Sequence, residues 1–252
     1  MKFGLIGHPI THSLSPALFK AGYDGRYSYE LIENSDFEKA FETFLNNYDG
    51  INVTAPFKEE AYARADIPSE ECKSIKAANI LVKTAEGIKA FNSDYLGVRK
   101  WLTEVTEGSC RKHTVLIAGM GGAGKAAEAA ASSLGMEVIT MNRTICNCKV
   151  RPLSEFCMQF RKADIIIYCI PEAIPQLKDL TETDFATGKP KFILEANYRN
   201  PSFDNEMTDR MRSVNPRIEY TGGRIWLLYQ AMTGYEIFTG EKPSLEKMSA
   251  CL

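Results

Sequence analysis

The sequence has little with which to build a metal centre. There are three histidines in 252 residues, and His8 and His12 are separated by Pro9 and a turn-like Thr11–His12–Ser13 rather than sharing a helical face. Seven cysteines (Cys72, Cys110, Cys146, Cys148, Cys157, Cys169 and Cys251) are scattered and odd in number, which argues for reduced thiols in a cytoplasm and against a disulfide framework. Cys146-x-Cys148 with Cys157 lacks the second paired motif of a zinc site, so incidental or buried thiols are expected, and no metal. No apolar run approaches the ~20 residues of a membrane span. A net charge of -2 offers nucleic acid no basic surface. Residues 1–7 lead straight into a strand pattern without a targeting signal, and no repeat or low-complexity stretch interrupts the chain. These absences predict a cytoplasmic globular protein of two modest domains, a monomer or homodimer, whose partner is a small molecule rather than nucleic acid or a membrane.

Against that background, residues 115–126 carry information. An apolar run ends in Gly119, Gly121 and Gly124 on the G-x-G-x-x-G spacing and continues into an alanine-rich stretch, which predicts strand, tight turn and helix. Such a turn brings a pyrophosphate to a helix N-terminus. A second apolar run, 136–141, follows after one helix length, as a βαβ unit requires. It ends in Asn142-Arg143-Thr144 where an NAD-binding chain usually carries an acid for the ribose 2′-hydroxyl. A guanidinium and a hydroxyl suit a 2′-phosphate, so the expected cofactor is NADP. The same glycines with Lys125 also open a phosphate-binding P-loop, but the residue that must supply a magnesium-ligating hydroxyl is Ala126. Lys125 is then a solvated charge.

Strand-like and helix-like segments alternate along the chain, which predicts open α/β sheets. In the first hundred residues the strands are 2–6, 27–31, 50–53, 78–83 and 88–91, with helices opening at Ser15-Pro16, near 37–46 and over 57–65. Pro16 is read as the first helical residue behind a Ser15 cap. Strands 114–118, 137–141, 164–169 and 191–195 form a parallel, dinucleotide-binding half. The segment 223–240 has a helical period and precedes a polar C-terminal helix. The expected domains are a substrate-binding catalytic domain, 1–100, completed by C-terminal helices 223–252, and an NADP-binding Rossmann domain, 101–222.

Three polar clusters follow apolar strands: residues 7–16, 52–58 and 92–94. In an open α/β sheet they gather at the carboxyl ends of strands, where such sheets bind ligands. Each residue also has a structural reading: Ser13 and Ser15 as turn and cap, Thr54 as a strand-end hydroxyl, Lys58 as a solvated first-turn residue, Asp94 as a helix cap. Together, beside a nicotinamide-cofactor half, they read as a site. An ammonium within reach of a ketone undergoing hydride addition stabilises the alkoxide and delivers a proton, and Lys58 is the one Lys of the clusters.

Over nearly its whole length the chain resembles the shikimate dehydrogenase family, through His12-Ser13-x-Ser15-Pro16, Asn52-Val53-Thr54-x-Pro56-x-Lys58, Asn92-Ser93-Asp94, the Gly119–Ala123 turn, Asn142-Arg143-Thr144 and Gln230-Ala231. The resemblance implies NADPH-dependent reduction of 3-dehydroshikimate to shikimate in aromatic amino acid biosynthesis, in the cleft between two domains. Lys58 and Asp94 are then the catalytic pair. Ser13 and Ser15 bind the substrate carboxylate, and Thr54, Asn79, Asn92 and Gln230 its hydroxyls, with Tyr198 near the substrate. Gly119, Gly121, Gly122 and Ala123 cradle the pyrophosphate, Asn142, Arg143 and Thr144 surround the 2′-phosphate, and Gly223 lies on the nicotinamide side.

The chain departs from the family pattern at Phe19-Lys20, where His-Asn is usual, at Ile80 for Thr, at Ser93 for Thr, in a shortened Tyr198–Phe203 segment, and at Trp226 for Met. These changes bear on substrate preference. The alternatives are a quinate-type dehydrogenase, a non-catalytic nucleotide-binding regulator and a P-loop nucleotidase. Intact Lys58 and Asp94 argue against the regulator, and Ala126 against the nucleotidase.

Overall fold

A computed structural model of the chain describes residues 1–145, 149–186 and 188–252. Cys146 and Cys148 fall outside them. The chain divides into two compact units, Met1–Gly97 with Leu228–Leu252, and Val98–Leu227.

In the first unit the elements follow as β1 (Lys2–Gly7), α1 (Ser15–Gly22), β2 (Ser28–Glu33), α2 (Phe37–Asn47), β3 (Gly50–Val53), α3 (Lys58–Ala63), β4 (Ile67–Pro68), α4 (Glu70–Ile75), β5 (Ile80–Thr84), β6 (Gly87–Phe91) and the start of α5 (Ser93–Val105). The sheet order is β2-β1-β3-β5-β6-β4. All neighbours are parallel except those of β5, which runs against both β3 and β6. Helix α2 shows how sequence makes this layer. Asp36 accepts the Lys39 N–H at 3.3 Å as its cap. Phe37, Ala40, Phe41 and Phe44 then fall on one stripe, buried with Ile51, Val53 and Phe57.

The second unit carries β7 (Thr114–Ala118), α6 (Gly122–Ser133), β8 (Glu137–Asn142), β9 (Val150–Pro152), α7 (Phe156–Lys162), β10 (Ile165–Tyr168), α8 (Glu182–Phe185), β11 (Lys191–Glu195), α9 (Asn205–Val214) and β12 (Ile218–Thr221). Every pairing in the order β9-β8-β7-β10-β11-β12 is parallel. This is the 3-2-1-4-5-6 order of a dinucleotide-binding sheet, with its switch point between β7 and β10. Buried Ala126, Ala127, Ala130 and Ala131 let α6 lie close on the sheet. Glu195 is wholly buried at the end of β11. Its carboxylate accepts the Ser202 N–H at 2.6 Å and the Tyr220 hydroxyl at 2.6 Å, so the turn after β11 is fastened to β12.

Helix α10 (Gly223–Thr239) and helix α11 (Leu245–Ser249) end the chain. From Leu228 onward α10 belongs to the first unit. Phe238 stacks on Phe3 with centroids 4.9 Å apart. A Cβ at Gly97 would stand 2.9 Å from the Gln230 backbone nitrogen, so α5 meets α10 at a glycine.

Several elements have no counterpart in the sequence reading: β4, α4, β9, α7, α8, α9 and β12. The helix cap before α1 is also corrected. Leu14 occupies the cap, Ser15 and Pro16 are the first two helical residues, and the Ser13 hydroxyl, two residues earlier, accepts the Ser15 N–H at 3.2 Å.

Lys191 is the one fully buried cation among the described residues. Its ammonium donates to the Phe160 carbonyl at 2.7 Å and to the Ala163 carbonyl, closing the C-terminal end of α7. Burial pulls its pKa from 10.5 down to about 8, against the opposing pull of the Asp164 and Asp184 carboxylates. The unfolded chain therefore holds the extra proton between these two values, and the stability at this site rises with pH across that window. Denaturant titrations of wild type and Lys191→Met, at about pH 7.5 and about pH 10, are expected to shift in favour of the wild type at the higher pH. A pH-independent difference between the two proteins contradicts the depressed amine.

Candidate active site

Strands β1, β3 and β6 point the same way, so the segments that follow them, 8–14, 54–57 and 92, leave the sheet at one edge. Because β5 alone runs backwards, its first end lies at that same edge and delivers Asn79 there. One reversed strand thus adds a fourth polar segment to the three that follow the forward strands.

The centre of this edge is an ion pair. Lys58, the first residue of α3, places Nζ 2.6 Å from Asp94 Oδ2. The Asp94 side chain is 6% exposed and that of Lys58 23%, so the carboxylate is withdrawn from water while the ammonium stays within reach of a solute. Asp94 is the second residue of α5, where the helix dipole favours an anion. Asn79 Nδ2 donates to the same Oδ2 at 3.3 Å and to Ser93 Oγ at 3.1 Å, while its Oδ1 accepts the Ser93 N–H at 2.7 Å. Lys58 carries three donors and uses one on Asp94, which leaves N–H groups for an approaching oxygen.

Helix α5 is capped by Asn92 rather than Asp94. Asn92 Oδ1 accepts the Tyr95 N–H at 3.2 Å, and its Nδ2 donates to the Ala77 carbonyl at 3.2 Å. Thr54 is half-buried at the end of β3, its N–H bonded to the Ile6 carbonyl at 2.9 Å and its carbonyl to the Phe57 N–H at 3.0 Å. Gln230 is half-buried on α10, one turn before Gly234. A Cβ on Gly234 would lie 3.5 Å from Ser93 Oγ, which brings this face of α10 to the Ser93–Asp94 corner.

Ser13 and Ser15 lie together, Oγ to Oγ, at 3.2 Å. Behind them stand Asn52 of the second polar cluster and two tyrosines for which the sequence suggested no role. Tyr29 donates to Asn52 Oδ1 at 2.7 Å, Asn52 Nδ2 donates to the Asn79 carbonyl at 3.3 Å, and the Tyr235 hydroxyl donates to the Ser15 carbonyl at 3.0 Å. Burial holds the Tyr29 phenol well above its ordinary range. Asn52 was legible as the first letter of its motif, whereas Tyr29 sits in an alternating strand that gives no hint of a polar role. The departure at Phe19 is absorbed here: its ring is fully buried, 4.8 Å from those of both Tyr29 and Tyr235, while Lys20 points to solvent. Ile80 is likewise buried, against Gly234.

In the second unit the β7–α6 turn has the geometry its glycines predict. Gly119 adopts φ +95°, and a Cβ on Gly124 would stand 1.8 Å from the Gly119 carbonyl oxygen, so both positions exclude a side chain. Gly121 caps the helix, Gly122 and Ala123 begin it, and no atom lies within 4 Å of where a Gly121 Cβ would be. That open space beside the first-turn N–H groups fits a pyrophosphate. Asn142 Oδ1 accepts the Met120 N–H at 3.4 Å and its Nδ2 donates to the Thr144 carbonyl at 3.2 Å, joining the end of β8 to the turn. Arg143 is exposed and pairs with Glu172 at 2.6 Å. The residues present therefore suit a dinucleotide with a 2′-phosphate.

Tyr198 and Gly223 also belong to this unit and touch each other's segments. A Cβ on Gly223 would lie 2.5 Å from the Asn197 carbonyl carbon and 2.6 Å from the Tyr198 nitrogen. Tyr198 is half-buried, which raises its phenol pKa. Among the described residues no group of three or more His, Cys, Asp or Glu side chains is arranged to hold a metal.

Residues 5–81 match the family model of the shikimate dehydrogenase substrate binding domain, and residues 89–194 match the NAD binding domain of D-isomer specific 2-hydroxyacid dehydrogenase. The shikimate dehydrogenase (NADP(+)) of Thermotoga maritima is 29% identical over 253 residues, covering 94% of this chain and 93% of that protein. The shikimate dehydrogenase of Thermotoga petrophila is 37% identical over 151 residues, 58% of this chain and 56% of that protein. Among solved structures, the shikimate 5-dehydrogenase of Thermus thermophilus in complex with shikimate superposes with a TM-score of 0.79 at 25% identity, covering 100% of this chain and 97% of that one. In its two-unit α/β fold and in the motifs that surround Lys58 and Asp94, this chain is similar to shikimate dehydrogenases over nearly its whole length, and residues 5–81 match their substrate binding domain.

Proposed function

We propose that the chain reduces 3-dehydroshikimate to shikimate with NADPH, the first unit, Met1–Gly97 with Leu228–Leu252, holding the substrate and the second, Val98–Leu227, the cofactor. The observation that carries this reading is the 2.6 Å Lys58–Asp94 pair at the edge where the polar segments meet. Seven scattered cysteines, odd in number, suit a reducing compartment, and we take the enzyme to be cytoplasmic.

When bound at the Gly119–Ala123 turn, NADPH would supply the hydride. As negative charge develops on the ketone oxygen, Lys58 Nζ donates a hydrogen bond to it and then the proton, leaving a neutral amine and the product alcohol. Asp94 stabilises and aims the ammonium before the reaction, and Asn79 holds Asp94 still. Ser13 and Ser15 turn their hydroxyls to the substrate carboxylate at the start of α1, where the helix N-terminus favours an anion. Thr54, Asn92 and Gln230 line the ring hydroxyls. Asn92 contributes only what its ties to Ala77 and Tyr95 leave over. Tyr198 matches the family's tyrosine near the substrate, and Gly223 its glycine on the nicotinamide side. The Gly119–Ala123 backbone receives the pyrophosphate.

Lys58→Ala is expected to fold and bind NADPH but to lose about 10² to 10⁴ in kcat with a smaller change in KM. Asp94→Asn should fall in the same range, and the double variant well short of the product of the two losses. A Lys58→Ala enzyme keeping more than half of wild-type kcat contradicts the mechanism.

Replacing both Ser13 and Ser15 by Ala should raise KM for 3-dehydroshikimate and leave NADPH affinity unchanged. Because Ser13 also accepts the Ser15 N–H, a stability loss of about 1 kcal/mol should accompany it. Lost stability with an unmoved KM returns these hydroxyls to a purely structural role.

Arg143→Ala should weaken NADPH by about 1.5 to 3 kcal/mol, the range of a charge-assisted hydrogen bond, while sparing NADH. Titration of both coenzymes decides the point, since equal losses are incompatible with a 2′-phosphate contact.

A further inference from the structure

Arg143 already has a carboxylate in its grip. Its Nη2 donates to Glu172 Oε1 at 2.6 Å, a short bond between two charged groups. The segment that carries Glu172 is held in place behind this contact. The Tyr168 hydroxyl donates to the Glu172 carbonyl at 2.7 Å and accepts the Ile174 N–H at 3.1 Å, while Asn197 Nδ2 donates to the Pro171 carbonyl at 2.8 Å. Tyr168 is itself fully buried on β10, the strand beside β7 at the switch point of the sheet. The turn after β10 is thus pinned on both sides of Glu172, and its carboxylate stays beside the end of β8.

We infer that Glu172 competes with the coenzyme's 2′-phosphate for the Arg143 guanidinium and so sets how far the enzyme prefers NADPH to NADH. The inference rests on the proposed contact between Arg143 and that phosphate. The side chains of Arg143 and Glu172 are 73% and 66% exposed, so a phosphate can reach the guanidinium and the ion pair is inexpensive to open. A phosphate must nevertheless displace one anion from Arg143 and then sit near it. A ribose 2′-hydroxyl has no such conflict, because it can donate to the carboxylate while the ion pair remains closed. Glu172 therefore weakens NADPH selectively, and the preference for NADPH is smaller than Arg143 alone would give.

Wild type, Glu172→Gln, Arg143→Ala and the double variant would be titrated calorimetrically with NADPH, NADH, 2′,5′-ADP and 5′-AMP. Glu172→Gln is expected to tighten NADPH and 2′,5′-ADP by about two- to fivefold, the worth of an exposed ion pair, with no gain for NADH or 5′-AMP. That gain should vanish when Arg143 is Ala. If Arg143→Ala weakens the phosphorylated ligands but Glu172→Gln leaves them unchanged, or helps all four alike, the competition is refuted and the cofactor reading stands. A gain that persists without Arg143 also refutes it, since the two anions then merely repel. If Arg143→Ala affects NADPH and NADH equally, the underlying contact fails and the inference goes with it.

Discussion

The first unit is arranged around a carboxylate that has been taken out of water without being left alone. Asp94 receives the Lys58 ammonium, the Asn79 amide and the N-terminal end of α5 at one place. A buried charge is tolerated only when its partners are in position, so each partner's segment must arrive in register. The reversed strand β5 brings Asn79, the turn after β3 brings Lys58, and the Asn92 cap starts α5 one residue before Ser93. The same contacts that make the carboxylate bearable also aim the ammonium outward.

The second unit solves a different problem with backbone. Its sheet is uniformly parallel, and the turn between β7 and α6 offers N–H groups and an open space rather than charged side chains. Charged side chains stand around the turn, Lys125 in the first turn of α6 and the Arg143–Glu172 pair on the surface, where it is easily rearranged. In the proposed reading, the grip on a diphosphate comes from the backbone of this turn, and the choice between coenzymes from an exposed ion pair beside it.

Much of this was legible in the sequence, for identifiable reasons. Strands 50–53, 114–118 and 191–195 were placed to the residue because apolar runs bounded by turn residues admit one assignment. Helix α2 announced itself by its phenylalanine stripe, and the glycine spacing foretold the β7–α6 turn. Missed elements were short or weakly periodic: α4 is six residues with two buried side chains, and β9 is three residues. The reversal of β5 was hidden too, since a strand's direction depends on its connections and not on its own residues. Within the site, Lys58 and Asp94 could be paired from their positions after strands, but no local pattern reveals that Tyr29 reaches Asn52 or that Phe19 fills the space between two tyrosines. Those facts belong to residues far apart in the chain that meet only in the folded core.

The two glycines at 121 and 124 differ in what they say about a protein. A side chain at 124 collides with the Gly119 carbonyl whether or not any ligand is present, so a descendant that had lost its coenzyme would still have to keep that glycine. At 121 a Cβ would meet no packed neighbour within 4 Å among the described residues, so the fold itself has room for an alanine there. The glycine at 124 is thus demanded by the architecture of the turn itself, whereas the space at 121 is room for whatever binds beside the helix N-terminus.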